Sequence, residues 1–327
     1  MAQVGGRSVF QVHPTRLCTL RCLHCYSSSG PDVAESLPIG VLGPAVREAA
    51  ALGYDVLSVS GGEPLLYPEL RALVRAARDA GMRTTVTTNG LSLTPRRIAL
   101  LREVDLVAVS VDGVQPDHDR LRGEPGSHDR AMTGVRRLTE AGVPVGVVTT
   151  LTKNGATRLG EVADQVAAAG ALLLQVRPLE AEGAARRLSA ERPGPVELAY
   201  AAVELGRVAA EHGLAVQLDA VPRTSLLRDR ASFTAEGATG DLGAWLTPLV
   251  VEANGAVVPS VHGFDRRYAL GSLLDRPLAD LAASWDPAPY RDLCARTWEQ
   301  LTGGRTGPLI TWYGHLLRAS RARVGCP

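Results

Sequence analysis

The sequence predicts an α/β protein: a partial (βα)6 TIM-like barrel of parallel strands, followed by a small C-terminal α+β module. Short β-branched runs alternate with longer segments of helical period from residue 8 to 176, which is the pattern of repeated βα units. The runs are apolar through their centres, as strands buried on both faces are. They fall at 8–13, 55–60, 84–88, 105–111, 145–151 and 171–176. Between them Leu70, Leu73, Val74 and Ala77 mark one apolar helix face, and Thr94 followed by Pro95 reads as an N-cap and first helical position. A helical stretch at 195–212 and an apolar run at 214–218 complete the barrel part, 1–220. An irregular piece rich in Arg, Gly, Ser and Thr, 221–245, reads as a linker. The module, 246–327, opens on two short strands flanking Asn254 and Gly255, a two-residue hairpin turn that needs positive φ. Nothing ahead of the first strand is expected to form a separate binding domain.

A chain of 327 residues with 45% hydrophobic content can bury a sizeable core. Its formal net charge of +1 supplies no field for nucleic acid or an anionic membrane surface. The start has no signal-peptide pattern and no apolar run is long enough to span a bilayer, so a cytoplasmic protein is expected. Of five cysteines, Cys18, Cys22 and Cys25 crowd into one short span while Cys294 and Cys326 lie near the end. That spacing is not a secreted disulfide framework. Clustered thiolates are soft ligands suited to iron-sulfur clusters, zinc or copper(I).

The three cysteines stand as C-x3-C-x2-C on the loop after the first strand, at the C-terminal end where barrels of this kind carry their sites. Electron-transfer clusters are usually closed by four cysteines. Three thiolates on a four-iron cluster leave one iron open, which implies chemistry. The competing reading is a structural zinc with His24 as fourth ligand, making a non-catalytic protein. Taken singly, Gly61-Gly62-Glu63-Pro64 is a tight turn and Ser110-Val111-Asp112-Gly113 a strand end.

Taken together, these features resemble the radical S-adenosylmethionine (radical SAM) superfamily. His24 precedes the last cysteine, Gly61 to Pro64 follow the second strand, Thr88-Asn89-Gly90 end the third, and Ser110 to Gly113 end the fourth with Arg122 twelve positions beyond Ser110. The resemblance implies one [4Fe-4S] cluster on Cys18, Cys22 and Cys25, with S-adenosyl-L-methionine as second cofactor. Gly61 and Gly62 would let the backbone approach its methionine part, beside Pro64, and Glu63 would accept from its ammonium. Ser110 and Arg122 would hold its carboxylate, arginine through its planar fork, and His24 would face the adenine. Asn89, Asp112 and Arg177 are further expected cofactor contacts. Arg177 stands with Thr149, Thr150 and Gln175 near the ends of the fifth and sixth strands, whereas His13 reads as a core histidine satisfied by backbone. One electron from the cluster would release methionine and a 5'-deoxyadenosyl radical that takes hydrogen from an unactivated carbon. A reducing partner such as flavodoxin or ferredoxin is implied.

Residues 248–273 resemble the start of a SPASM or twitch extension. Where that family has a cysteine after the proline, this chain has Ser260, and only Cys294 and Cys326 follow. The extension is therefore expected to lack auxiliary clusters, with Cys294 and Cys326 as candidate hydrogen donors. The expected substrate is a ribosomally made peptide. The alternative is a small molecule, an aminosugar, nucleoside or porphyrin, altered by epimerisation, elimination or decarboxylation.

Overall fold

The computed structural model describes residues 7–304 and 306–322, so Cys326 lies outside the described residues. All six expected parallel strands are present, each bounded within two residues of the sequence reading: β1 Val9–Val12, β2 Val56–Val59, β3 Arg83–Thr88, β4 Leu106–Ser110, β5 Val145–Leu151 and β6 Leu173–Pro178. They pair in sequence order, all parallel. The apolar run after the last barrel helix adds a seventh, β7 (Ala215–Leu218), parallel to β6. Seven parallel strands therefore follow one another where the sequence suggested six.

The hairpin forms where Asn254 and Gly255 foretold it, between β9 (Leu249–Val251) and β10 (Ala256–Pro259), with Gly255 at φ 88°. It does not stand apart from the barrel. β9 lies parallel against β1, and β10 carries on antiparallel to β11 (Gly271–Ser272), so one ten-stranded sheet runs β11-β10-β9-β1-β2-β3-β4-β5-β6-β7. Among the described residues no ladder joins β7 to β11, and the barrel is open.

The stretch 221–245, read as a linker, holds β8 (Val221–Pro222) and three short helices, Arg223–Arg228, Arg230–Thr234 and Leu242–Trp245. Leu226 and Phe233 anchor it in the main core, and β8 pairs with β12 (Leu309–Ile310). Buried apolar contacts order a segment whose polar composition reads as irregular.

Helices cover the outer face. α1 (Ile39–Ala51) packs beside α2 (Leu70–Asp79), whose Leu70, Leu73, Val74 and Ala77 are all buried. α3 (Pro95–Leu101) starts at Thr94, which accepts from Arg97 N. α4 (Gln115–Arg122), α5 (Ser127–Glu140), α6 (Leu159–Ala168) and α7 (Pro195–His212) continue the layer. Strand residues alternate accordingly: Phe10, Val12, Leu57, Val59, Val107 and Val109 are buried against helices. Gln11, Ser58, Thr85, Ala108 and Gln175 take the other, half-exposed face, which lines a polar lumen. No helix among the described residues is long and apolar enough to cross a membrane.

Candidate active site

The cysteine loop runs from the end of β1 to α1 and is fastened along its length. Cys18 N donates to Gly30 O at 3.1 Å and Arg16 N to Glu35 O at 2.9 Å. From the end of β2, Gly62 N donates to Thr15 O and Glu63 N to Leu17 O, each at 2.8 Å. This close approach explains the glycines. A Cβ on Gly62 would lie 2.2 Å from Leu17 O, and one on Gly61, at φ 113°, would lie 2.8 Å from Thr15 O. Leu23 on the loop packs into a second small core of Leu121, Leu179, Ala185 and Leu188, and Ala184 N donates to Cys25 O at 2.9 Å. The segment after β6 thereby shields that side of the loop from water.

Cys18, Cys22 and Cys25 are free, half-buried thiols. Burial, with the charges of Glu63 and the other two thiolates adding to it, pushes the Cys18 thiol up to about 11. Burial likewise raises Cys22, opposed by the Arg122 guanidinium. Three mutually repelling soft donors on one shielded loop suit a cationic iron-sulfur core, which would offset both the repulsion and the burial of thiolate.

Glu63 is wholly buried. Its Oε1 accepts from Thr88 Oγ1 at 2.8 Å and Leu65 N at 3.0 Å, and its Oε2 from Asn89 N at 2.9 Å. Burial raises its pKa while these donors hold it down. Pro64 opens the short 3-10 turn that Glu63 caps. Asn89 Nδ2 donates to Thr19 Oγ1 at 3.1 Å, so the end of β3 is tied to the cysteine loop as well.

Asp112, 2% exposed, is the hub of the opposite side. Its Oδ1 accepts from Thr150 N at 2.8 Å, and its Oδ2 faces Arg122 Nη2 at 2.5 Å and His24 Nε2 at 3.0 Å. Despite its burial, the Arg122 and His24 partners hold its carboxyl well below the usual carboxylate range. His24 Nδ1 lies 3.1 Å from Leu121 O, so the ring sits between that carbonyl and Asp112. Among the described residues no three His, Cys, Asp or Glu converge on a single ion. Arg122 also reaches Cys22 Sγ at 3.9 Å through Nη1. Sequence reasoning paired Arg122 with Ser110, but the structure brings it to Asp112 and Cys22, while Ser110 ends β4 on the lumen face beside Ala108. The usable signal was the helix after Asp112, which sets His118 and Arg122 four apart on one face. His118 Nδ1 accepts from Asp112 N at 3.0 Å.

Across the lumen, Arg177 Nε donates to Asp219 Oδ2 at 2.8 Å, and Gln175 and Gln217 donate to the same carboxylate. His13 is buried, but backbone does not satisfy its ring as expected. Its Nε2 lies 2.7 Å from Gln11 Nε2, and its Nδ1 has no partner among the described residues. The ring stacks on His262 at 4.8 Å and meets the edge of Tyr26, whose hydroxyl lies 3.1 Å from Ser60 Oγ. Thr149 Oγ1 is spent on Val111 O. Ser260, at φ 66°, bonds Tyr290 Oη at 2.7 Å. Cys294 is 1% exposed inside Ala288–Gly303, so its thiol does not reach the lumen surface. A cleft of about 250 Å³ opens beside the loop between Arg16, Tyr26, Glu182, Glu252, His262 and Arg321.

The profile described as "Radical SAM superfamily" matches residues 12–158, from the end of β1 past β5. Residues 12–158 are thus similar to the radical SAM superfamily. The superfamily's cofactors are a [4Fe-4S] cluster and S-adenosylmethionine, and the three-thiol loop fits the first of them. The chain is 34% identical over 163 residues to the AdoMet-dependent heme synthase of Methanosarcina barkeri, covering 49% of this chain and 47% of that one. It is 32% identical over 163 residues to the sporulation killing factor maturation protein SkfB of Bacillus subtilis, covering 49% and 40%. The chain thus matches less than half the length of these relatives. In fold it superposes on Streptococcus suis SuiB bound to S-adenosylmethionine with a TM-score of 0.70 and 17% identity, covering 88% of this chain and 68% of that one.

Proposed function

We propose that this radical SAM protein holds one [4Fe-4S] cluster on Cys18, Cys22 and Cys25 and abstracts a hydrogen atom from a peptide. The observation that carries the chemistry is the three-thiol loop, locked to the ends of β2, β3 and β4 with no fourth thiol beside it among the described residues. When bound, the cluster supplies the single electron that splits S-adenosylmethionine into methionine and a 5'-deoxyadenosyl radical. The chain's residues bind, orient and exclude water. Gly61 and Gly62 set the loop against the sheet, Glu63 and Asn89 fix its lumen side, and Leu23 with its apolar partners shuts out solvent. Ser110, on the lumen face, and Arg177, whose outer guanidinium edge is not used by Asp219, are read as cofactor or substrate contacts.

The mixed-charge cleft of Glu182, Glu252, Arg16 and Arg321, together with the serine, threonine and glutamine of the half-exposed strand face, supports a peptide, whose amides and charged side chains they match. SkfB, named for peptide maturation, and SuiB, also solved with its precursor peptide SuiA, lend this weight. A flat porphyrin asks for a broad apolar slot, although the heme synthase relative keeps a small molecule as the second reading. The module 246–327 is read as a SPASM- or twitch-like extension with no auxiliary cluster, because Ser260 stands at the cysteine position and its hydroxyl is committed to Tyr290.

Anaerobic reconstitution with iron and sulfide is expected to give a brown protein that, once reduced, releases 5'-deoxyadenosine, and Cys22→Ala to abolish that release. A colourless protein, or one that releases none, would sink the reading. Deuterium from labelled solvent in candidate peptides then separates epimerisation from cross-linking.

A further inference from the structure

We propose that the outer edge of Arg177, held by Asp219, binds a carboxylate of the substrate and anchors it beside the cysteine loop. This deepens the peptide reading above, on which it rests, by naming the group recognised: an acidic side chain or a free C-terminus.

The guanidinium is fixed from one side alone. Arg177 Nε donates to Asp219 Oδ2 at 2.8 Å, while Nη1 and Nη2 take no hydrogen bond among the described residues, and the side chain is 49% exposed. Asp219 is committed elsewhere too: Gln175 Nε2 and Gln217 Nε2 each donate to its Oδ1 at 3.0 Å, and its backbone N donates to Val176 O at 2.9 Å. The two terminal nitrogens are therefore left side by side as an end-on fork that matches a planar carboxylate.

The neighbourhood is short of acceptors. Gln11 Nε2, which can only donate, lies 2.7 Å from His13 Nε2, so the ring, kept neutral chiefly by burial, carries its proton on Nδ1. That N–H is buried and has no partner among the described residues. Arg177 is near enough for its charge to act on both His13 and Tyr26, the residue after Cys25. A carboxylate arriving here supplies acceptors where two kinds of N–H lack them. A phosphate would bring two charges to a guanidinium already paired with Asp219, whereas a carboxylate brings one. Ala184 N donates to Cys25 O at 2.9 Å, so the chain leaving β6 ties this edge to the cysteine loop. An anchored carboxylate thereby fixes the substrate carbons beside it near that loop.

Synthetic peptides of random sequence with free C-termini would be selected on the full chain, reconstituted anaerobically with iron and sulfide, saturated with S-adenosylmethionine and left unreduced so that nothing turns over. A bound peptide is remade with each Asp or Glu changed to its amide and, separately, with an amidated C-terminus, which tells the two sources of carboxylate apart. Dissociation constants are read by fluorescence anisotropy for the unsubstituted chain, Arg177→Gln and Arg177→Lys. Removing the recognised carboxylate and Arg177→Gln should each weaken binding about tenfold, and together no more than either alone, because both delete the same contact. Arg177→Lys, charged but without the fork, should keep part of the affinity, and it carries the cycle if Arg177→Gln does not fold. S-adenosylmethionine affinity should stay within about threefold. Additive losses in the cycle overturn the proposal, as do bound peptides indifferent to loss of every carboxylate. A loss of S-adenosylmethionine affinity of about tenfold in Arg177→Gln also overturns it, since Arg177 is then a cofactor contact. If no peptide binds a chain that takes up iron and releases 5'-deoxyadenosine on reduction, the peptide reading itself fails, and this inference with it.

Discussion

Replacing Gly62 with alanine tests how the cysteine loop is held, because the added methyl meets backbone alone. The new Cβ would lie 2.2 Å from Leu17 O and 2.8 Å from the Arg16 and Leu17 carbonyl carbons. Reaching ordinary contact near 3.4 Å requires the loop to retreat by about 1.2 Å at the residue before Cys18. That retreat breaks the 2.8 Å bonds from Gly62 N and Glu63 N. At about 1 kcal/mol per lost bond plus residual strain, the expected cost is roughly 2–4 kcal/mol. For a chain of this size each kcal/mol is worth about 2 °C, so the melting temperature should fall by roughly 4–8 °C. A displacement of about 1 Å at a reacting centre also costs on the order of 100-fold in rate. The assay is paired: thermal melting of the isolated chain, and iron content with 5'-deoxyadenosine release after reconstitution. A Gly62→Ala protein that melts like the parent and loads full iron would refute the claim that this glycine makes room for the loop.

The opposite sign is expected at Gly206, exposed within α7, where an added methyl would meet nothing within 4 Å and Gly206→Ala should stabilise by about 0.8–1 kcal/mol in a melting curve. Glu63→Gln keeps one acceptor but turns an amide N–H toward a buried donor, so it should cost about 1–3 kcal/mol and reduce iron loading. Burial holds His118 and His315 down to about 4, and His13 and His262 below their ordinary range. The unfolded chain therefore takes up more protons below about 6.5, and stability present above that pH should be lost as pH falls toward about 4. Denaturant midpoints across that range should show the loss, and His315→Asn should lessen it. Cys294→Ala should leave 5'-deoxyadenosine release intact while lowering the melting temperature by removing a buried side chain.

The strands were legible because a parallel sheet needs apolar runs of fixed length between helical periods, and Thr94-Pro95 and Asn254-Gly255 carry local chemistry that works wherever the chain goes. β7 was harder to read: Ala215–Leu218 is short, and only its pairing with β6 makes it a strand. The seat of the hairpin was not legible at all, since nothing in Leu249–Val251 names β1 as its neighbour. At the site, the cysteine spacing marks the loop because three thiols must converge, and the glycines mark a close backbone approach. What approaches Gly62 turned out to be Leu17, which a motif cannot say. Asp112, Arg122 and His24 each read as separate cofactor contacts. Their mutual contact depends on α4 folding back over the loop, a non-local fact.

The junction of β9 with β1 has a temporal meaning. Phe10 to Val12, the strand that leads into the cysteines, is flanked on one side by residues translated about 240 positions later, and His13 N already leans on Val251 O at 2.9 Å. A ribosome-bound chain that has released only its first two hundred residues keeps that flank bare. The strand that leads into the cysteines is therefore paired on both edges only once residue 251 has been made.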